Sequence, residues 1–416
     1  MNQGTGQTMS AEWRRHWYVP AAAAIGYSMF GLQTYAIGPF VIPLEKEFGW
    51  SRATVMAGLT LSNMVGIFVN IGIGALVDRL GPRRVGLAGL LAKAATFGLL
   101  GAATGTLLNW SALWFLVALG AMLSNSQVWT AGVASRFDKG RGLALALALS
   151  GTSICGAIAP LLGTALIEAY GWRMAFPGLA LAWLAVSLPM VFFLFHNTNE
   201  RKAAASPVAE VRDVPGMSLR EGLRSSIYWR LLFAAFAYAA YTVALAPNLV
   251  PLLVEKGSDP MGAAGIASIV GVLAIVSRLA AGFLLDWLPS HLVGAAIFLL
   301  PVAGCVIMLA DHPPLALQIV AVVSLGITIG AEFDVIVYLT ARHFGTRSFG
   351  ALFGGMITTG ALGGALGPIG AGWIHDQYHN YDPLLVLLAA VMAISSVFIL
   401  SIGRGASDRE QTTGAT

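Results

Sequence analysis

Apolar stretches of about 20 residues recur along almost the whole chain, with short polar breaks between them. That is the length an α-helix needs to cross the hydrocarbon core of a bilayer, because each residue advances the helix by about 1.5 Å. The pattern therefore predicts an all-α membrane protein with twelve transmembrane helices. We place these spans at residues 17–42, 53–77, 82–104, 110–134, 142–168, 173–196, 228–253, 261–287, 292–310, 314–341, 348–374 and 382–403.

Composition supports this prediction, since 57% of the 416 residues are hydrophobic and only 11% are charged. So little polar surface cannot solvate a water-soluble globule of this size. The polar start through Arg15 leads directly into a full-length span, so we expect no cleavable signal peptide. Cys155 and Cys305 both lie inside spans, which offers neither a disulfide framework nor a metal cluster, and we expect no cofactor. Glycine-rich runs inside spans lack the Lys and Ser or Thr of a phosphate loop, which argues against an ATP-driven pump.

The basic residues follow the loops instead of forming one patch, so the formal charge of +4 does not indicate a nucleic-acid partner. With the N-terminus in the cytoplasm, most Lys and Arg residues fall on the cytoplasmic side, as the positive-inside rule requires. Both termini are therefore predicted to be cytoplasmic. The exceptions are Lys46, Arg52, Arg173 and Lys256 on the outside, and Lys93 and Arg278 within spans.

A mixed stretch of charged residues, Ala, Ser and Pro at 197–227 divides the chain into an N-terminal six-helix half, 1–196, and a C-terminal half, 228–416. From Ser218 onward this linker is predicted to form an amphipathic helix on the membrane. The two halves repeat at an offset of 208 residues, which indicates duplication of a six-helix unit and two pseudo-symmetric halves. The matching pairs are Gly74 and Gly282, Asp78 and Asp286, Gly142 and Gly350, Gly156 and Gly364, Pro160 and Pro368, and Tyr170 and Tyr378.

The loop after span 2 reads Gly74-Ala-Leu-Val-Asp78-Arg79-Leu-Gly81-Pro-Arg83-Arg84, and it resembles the signature loop of the major facilitator superfamily. The resemblance implies a transporter, not an enzyme, in which this loop latches the outward-open state. Its counterpart Gly282-Phe-Leu-Leu-Asp286 keeps the glycine and the aspartate but lacks the trailing arginines. The gating residues implied by the resemblance are Asp78, Arg79, Arg83, Arg84 and Asp286.

Arg278 precedes Gly282 and Asp286 within span 8, and this spacing resembles the oxalate/formate antiporter and monocarboxylate transporter group of the superfamily. The resemblance implies that Arg278 binds the carboxylate of the substrate. An arginine inside a membrane is costly unless paired, and its planar guanidinium matches a carboxylate in two-point fashion. The alternative is a fixed ion pair between Arg278 and a carboxylate of span 10.

Two carboxylates, Glu332 and Asp334, interrupt the apolar sequence of span 10 and are our candidates for proton coupling. Residues two apart cannot share one face of a helix, so we expect one to face the cavity and the other a neighbouring helix. We favour Asp334 on the cavity side together with Tyr338, which lies four residues on. The chain has Ala274 where the eukaryotic monocarboxylate carriers have an acidic residue, so their proton relay is not expected here.

Further polar residues inside spans are candidates for substrate binding or for hydrogen bonds between helices. Lys93 in span 3 either neutralises a second carboxylate of the substrate or forms a structural contact. The glycine- and proline-rich spans 5 and 11 are expected to act as hinges. The remaining candidates for substrate contact are Tyr35, Asn125 and Tyr241, and Tyr27, Gln33, Tyr238 and Asn248 are further polar groups of these spans.

These patterns predict a secondary transporter for a monocarboxylate or related organic anion, working by alternating access with proton coupling. Its partners would be the anion, protons and the lipid bilayer, and a monomer is expected to suffice. Anion exchange of the oxalate/formate type and efflux of a drug or metabolite are the alternatives. The predicted location is the plasma membrane, as in a bacterial inner membrane.

Overall fold

The computed structural model describes residues 9–137, 140–195, 217–345 and 348–403. Throughout these ranges the chain forms helices and no β-strand, which confirms the predicted all-α class. Two short 3-10 helices, Gly38–Phe40 and Leu99–Ala102, accompany the α-helices. The α-helices are α1 Met9–His16, α2 Tyr18–Tyr35, α3 Val41–Phe48, α4 Arg52–Leu80, α5 Pro82–Gly98, α6 Leu107–Leu123, α7 Ser126–Ala134, α8 Arg141–Leu149, α9 Gly151–Leu194, α10 Leu219–Arg224, α11 Ser226–Leu245, α12 Leu249–Glu255, α13 Pro260–Trp287, α14 Ser290–Met308, α15 Leu315–Phe344, α16 Phe349–Tyr378 and α17 Asp382–Leu400.

Each of the twelve predicted spans coincides with one helix or with two consecutive helices. Among the described residues, nine helical segments are long and apolar enough to cross a membrane. One of them, Arg141–Leu194, covers two predicted spans, because two helices meet directly at Gly171, whose φ of 75° and ψ of 161° are not helical. Gly171 has a φ of 75°, a conformation that costs glycine little because it has no Cβ.

Several predicted spans are broken into two helices at prolines or capping residues. In span 1 the α-helix stops at Tyr35, and Pro39, which has no N–H to donate, lies in the 3-10 turn that follows. In span 4 the side chain of Asn125 accepts the N–H of Ser126 and starts α7 anew. The predicted linker helix is present as α10, where Ser218 forms a capping box.

Buried apolar residues form two separate clusters. The N-terminal cluster draws its members from Val19 to Phe195 and the C-terminal cluster from Tyr228 to Ile402, and each contains one free, buried cysteine. Many large apolar side chains lie outside both clusters, such as Leu108, which is 82% exposed. Such an apolar exterior suits a protein surrounded by lipid instead of water.

The two clusters meet along α4 with α16 and along α9 with α13. The α9/α13 crossing packs backbone on backbone, since a Cβ at Gly271 would lie only 2.0 Å from Ala157 N. At the α4/α16 crossing the Asn63 side chain donates instead to the carbonyl oxygen of Gly364 at 3.0 Å. The repeat offset relates Asn63 to Gly271 and Gly156 to Gly364, so the two crossings occupy equivalent positions.

We call the end of the molecule that carries Arg52 the outer end, because the predicted topology places it outside. The opposite end differs in how its glycines are packed. No described atom of a neighbouring element lies within 4 Å of a Cβ position at Gly74, Gly282 or Gly350. These glycines therefore have no close neighbour among the described residues, whereas a Cβ at Gly372, near the outer end, would lie only 2.6 Å from Ala53 N.

Candidate functional site

Arg278 lies inside α13, and its side chain is only 16% exposed. Its Nε atom is 3.5 Å from Asp334 Oδ2 of α15 and donates to the carbonyl oxygen of Gly330 at 3.3 Å. Gly330 and Asp334 are one turn apart, so α15 presents both acceptors on one face. The ion pair that the sequence offered as an alternative role for Arg278 is thus present in this conformation.

Tyrosines from both clusters surround this ion pair. Arg278 interacts electrostatically with the hydroxyl groups of Tyr27 and Tyr35 of α2 and of Tyr238 of α11. The Tyr238 hydroxyl donates to the carbonyl oxygen of Ile329, the residue before Gly330, at 3.4 Å. Arg278 therefore lies where the two clusters face each other, near phenolic groups of both.

The two carboxylates of α15 have different surroundings. Asp334 pairs with Arg278, and its side chain is 33% exposed. Glu332 is completely buried, and neither of its carboxylate oxygens has a hydrogen-bond partner among the described residues. This difference follows from their spacing, because residues two apart on a helix point in nearly opposite directions.

Tyr338 continues the Asp334 face one turn further along α15. Its hydroxyl oxygen accepts a hydrogen bond from Arg342 Nη1 at 2.6 Å, and the Arg342 guanidinium lies 5.6 Å from the centre of its ring. Tyr338 thus has a cationic neighbour that the sequence prediction did not include. A basic residue in the last turn of a helix is common, so no sequence pattern singles out Arg342.

Lys93 is fully buried in α5 and donates to the side-chain oxygen of Gln33 at 2.6 Å. Gln33 contacts the side chain of Asn63 at 3.4 Å, and Asn63 in turn donates to Gly364. A chain of polar side chains therefore leads from Lys93 to the α4/α16 crossing. It makes no contact with Arg278 in this conformation.

Other predicted residues occupy more local positions. Asn125 caps α7 by accepting the N–H of Ser126. Tyr241 is 1% exposed and lines a small cavity together with Cys305. Arg278 and Asp334 therefore contact each other, whereas Lys93 pairs with Gln33 and Tyr241 lies beside Cys305.

The predicted gating residues are placed only in part. The backbones of Asp78 and Asp286 belong to α4 and α13, but their side chains lie outside the described part of the chain. Arg79 and Arg84 are exposed at the ends of their helices. Arg83 donates to the carbonyl oxygen of Phe192 at 2.7 Å, which joins α5 to α9.

A set of contacts at the outer end joins helices of the two clusters, and no sequence pattern predicted it. The carboxylate of Asp376 accepts the backbone N–H groups of Arg52 at 2.8 Å and Ala53 at 2.9 Å, in the first turn of α4. Arg52 also pairs with Glu45 at 2.7 Å and lies 4.0 Å from Glu255. We call these contacts the outer junction. Because Asp376 and Glu255 belong to the C-terminal cluster's helices, the junction holds the two clusters together.

The described residues include no group of three His, Cys, Asp or Glu residues that could hold a metal ion. Arg278 presents guanidinium N–H groups, which are donors for an anionic or carbonyl oxygen. It sits in the interior of a helical membrane protein, between two packed units.

Comparison with known proteins agrees with this architecture. The model of the Major Facilitator Superfamily matches residues 23–368. An uncharacterized 38 kDa protein in a 23S RNA operon of Thermoproteus tenax is 28% identical over 94% of this chain and 96% of its own. Monocarboxylate transporter 13 of Rattus norvegicus is 28% identical, covering 79% of this chain and 75% of that protein. A 3-(3-hydroxy-phenyl)propionate transporter of Escherichia coli is also 28% identical, over 58% and 56%.

Proposed function

The chain belongs to the Major Facilitator Superfamily, and we propose that it moves a monocarboxylate or related organic anion across the membrane by alternating access, coupled to protons. It is a membrane transporter and not an enzyme. The substrate and the coupling ion are the parts we propose. The observation that carries the proposal is the ion pair between Arg278 of α13 and Asp334 of α15, which lies where the C-terminal cluster faces the N-terminal one.

In this mechanism Asp334 occupies the place of the substrate carboxylate. A single contact at 3.5 Å leaves most of the guanidinium donors of Arg278 available, so an incoming carboxylate can bind in two-point fashion and displace Asp334. Once displaced, Asp334 loses its counter-ion and takes a proton. Anion binding and proton binding are thereby linked, and one monoanion moves with one proton.

The surrounding tyrosines fit the organic part of such a substrate. Tyr27, Tyr35 and Tyr238 offer both ring faces and hydroxyl groups near Arg278. The names of two relatives support this substrate class, because one is a monocarboxylate transporter and another carries a phenyl-substituted propionate. Aliphatic and aromatic monocarboxylates therefore both belong in the first panel of substrates.

The proposed architecture is two six-helix halves, 1–196 and 228–416, joined by the linker 197–227, with both termini in the cytoplasm of a bacterial cell. The separate apolar clusters support this division. Spans 2, 5, 8 and 11 provide the contacts between the halves, so rocking at these crossings would expose Arg278 to each side in turn. We expect the monomer to complete this cycle.

The test is transport in proteoliposomes with a panel of labelled carboxylates, with and without an inward proton gradient. We expect accumulation of at least one acid with the gradient and a loss of about tenfold or more in Arg278→Lys, because lysine cannot form the two-point contact. Arg230→Lys, at a half-buried arginine that donates to the carbonyl oxygen of Ser401, is the matched control and should retain transport.

Three outcomes would change the proposal. Movement of carboxylates only against another anion would replace proton coupling by exchange. Transport by Arg278→Lys at the wild-type rate would remove Arg278 from the anion site. If no carboxylate moves, the organic-anion assignment is wrong and efflux of another solute becomes the function to test.

A further inference from the structure

Glu332 is not used by the mechanism above, although it is an acidic side chain in the middle of the membrane domain. It has no exposed surface, and both carboxylate oxygens are without a hydrogen-bond partner among the described residues. Burying an ionised carboxylate without hydrogen bonds or a counter-ion is very costly. The site therefore fits a neutral carboxyl group that carries a proton.

The groups that face Glu332 are neutral. Tyr238 and Tyr241 of α11 interact with it electrostatically, and Cys305 of α14 lines the same small cavity as Tyr241. The cation Arg278 lies on the other face of α15, where it is occupied by Asp334. Glu332 is thus separate from the anion site, and Tyr238 is the residue that interacts with both.

Polar groups continue from Tyr241 toward the outer end. A cavity of about 10 Å³ is lined by Tyr241 and Cys305 together with leucines, and that volume is close to the minimum for one water molecule. Two turns beyond Tyr241 on the same segment, Asn248 accepts a hydrogen bond from the Tyr381 hydroxyl at 2.8 Å. The ring of Tyr381 lies against His375 of the outer end, with 4.8 Å between ring centres.

On the opposite side, Tyr238 connects Glu332 to the anion site. Its hydroxyl interacts electrostatically with Glu332, Asp334 and Arg278. A proton that reached Glu332 from the outer end along Asn248 and Tyr241 would therefore have a path of exit past Tyr238 toward Asp334, whose side chain is 33% exposed. This route does not require passage through the Arg278–Asp334 ion pair on the way in.

We propose that Glu332 binds a second transported proton, at a site separate from the anion site, and that the proton enters past Tyr241 from the outer end. The inference rests on the proposed function. The proton comes from bulk water on the outside, is held on a carboxylate oxygen of Glu332 and is released to water on the cytoplasmic side. No bond other than that O–H bond is made or broken.

This proposal changes the electrical character of transport. One monoanion with the single proton of Asp334 moves no net charge, whereas a second proton on Glu332 makes each cycle carry one positive charge inward. A membrane potential of 100 mV, negative inside, then raises the limiting accumulation ratio by about 50-fold. Electrically silent transport would have no such response.

The experiment sets a potassium diffusion potential across proteoliposomes at a fixed proton gradient and measures accumulation of the transported acid. Wild type should show the full potential dependence. Glu332→Gln should lose it while still exchanging labelled for unlabelled acid, because Arg278 is unchanged. Glu168→Gln removes an exposed carboxylate by the same chemical change, and it is the matched control that should keep the potential dependence.

The outcomes distinguish the second proton site at Glu332 from the proposed anion transport at Arg278. Potential dependence that persists in Glu332→Gln, or wild-type transport driven by a proton gradient but insensitive to potential, would overturn the second proton site alone. Wild type without carboxylate exchange or accumulation would overturn both proposals. If Glu332→Gln does not fold, Tyr241→Phe is the second variant to measure, because the proton is proposed to enter past Tyr241. We expect slower potential-driven uptake in Tyr241→Phe, and uptake at the wild-type rate would contradict the inference.

Discussion

The two crossings between the apolar clusters occupy equivalent positions in the repeat, yet they are built differently. At α9/α13, Gly271 lies directly against the backbone of α9 near Gly156. At α4/α16, the equivalent residue Asn63 reaches Gly364 by a side-chain hydrogen bond. The N-terminal ends of α4 and α13 differ as well. Asp259, the residue just before α13, caps that helix from within the C-terminal part of the chain. The first turn of α4, in contrast, is bound by Asp376 of α16, which belongs to the other cluster's helices.

This difference assigns distinct mechanical roles to the two crossings. Backbone packing between small residues allows close approach and sliding without breaking polar bonds, as glycine-rich helix contacts in membranes do. Charge-assisted hydrogen bonds at a helix terminus must be broken before the surfaces part. We therefore expect α9/α13 to act as a pivot and α4/α16, with the outer junction, to act as the part that opens.

The largest expected effect comes from filling the α9/α13 crossing. A methyl group in Gly271→Ala would lie 2.0 Å from Ala157 N and 2.3 Å from the Ser153 carbonyl oxygen, which are backbone atoms that cannot rotate away. We expect the free energy of unfolding to fall by about 3 kcal/mol, at the upper end of overpacking effects, with a clear drop in thermal midpoint.

The control for that substitution lies on the same helix. Gly265→Ala adds the same methyl group where no described neighbouring atom lies within 4 Å, so its thermal midpoint should equal or exceed that of wild type. Equal losses in both variants would mean that the close contact at Gly271 is not what limits stability.

A smaller effect is expected from the outer junction. Asp376→Asn keeps the shape of the side chain but removes the negative charge from the N-terminus of α4, which is worth about 1 kcal/mol. The open population of this end should rise about fivefold. Hydrogen–deuterium exchange at the amides of Arg52 and Ala53 measures it, because Asp376 accepts these two N–H groups.

Asp311→Asn provides the comparison for this measurement, since Asp311 is an exposed carboxylate near the same end. Exchange at the first turn of α4 should be unchanged in that variant. Unaltered exchange in Asp376→Asn would show that the junction does not hold the outer end closed.

The smallest effect is expected from the hydrogen bond at the α4/α16 crossing. Asn63→Ala removes the donor to the Gly364 carbonyl oxygen, which remains part of α16. We expect the free energy that holds this crossing closed to fall by about 0.5–1 kcal/mol. Amide exchange at Arg52 and Ala53 should rise about twofold to fivefold. Ser62→Ala removes a neighbouring hydroxyl that bonds only within the N-terminal cluster, so it should leave that exchange unaltered.

The sequence predicted the helical architecture well because a membrane imposes a strong length and polarity requirement on each span. It could not predict that span 1 is interrupted after Tyr35 or that spans 5 and 6 are joined directly at Gly171, because both depend on local backbone geometry. The transporter class and the superfamily are confirmed by the match over residues 23–368. The roles of individual site residues remain predictions.

The sequence distinguished candidate site residues from other polar residues only where an ionisable side chain lies inside a predicted span. Arg278, Asp334 and Glu332 were evident because ionisable groups inside a span are exceptional. Tyr27 and Tyr238 were not distinguishable from other tyrosines, and the contact between Arg52 and Asp376 joins residues 324 positions apart with no local pattern. No sequence pattern indicates that Gln33 is the neutral hydrogen-bond partner of Lys93.

The placement of the two cysteines has a practical consequence. Cys155 is 0% exposed and Cys305 is 2% exposed, and neither forms a disulfide. Water-soluble maleimides should therefore find no reactive thiol in the native chain in this conformation. A spectroscopic probe can then be attached at a single introduced cysteine on either side of the membrane without first removing the natural ones, so the motion of each crossing can be followed in the wild-type background.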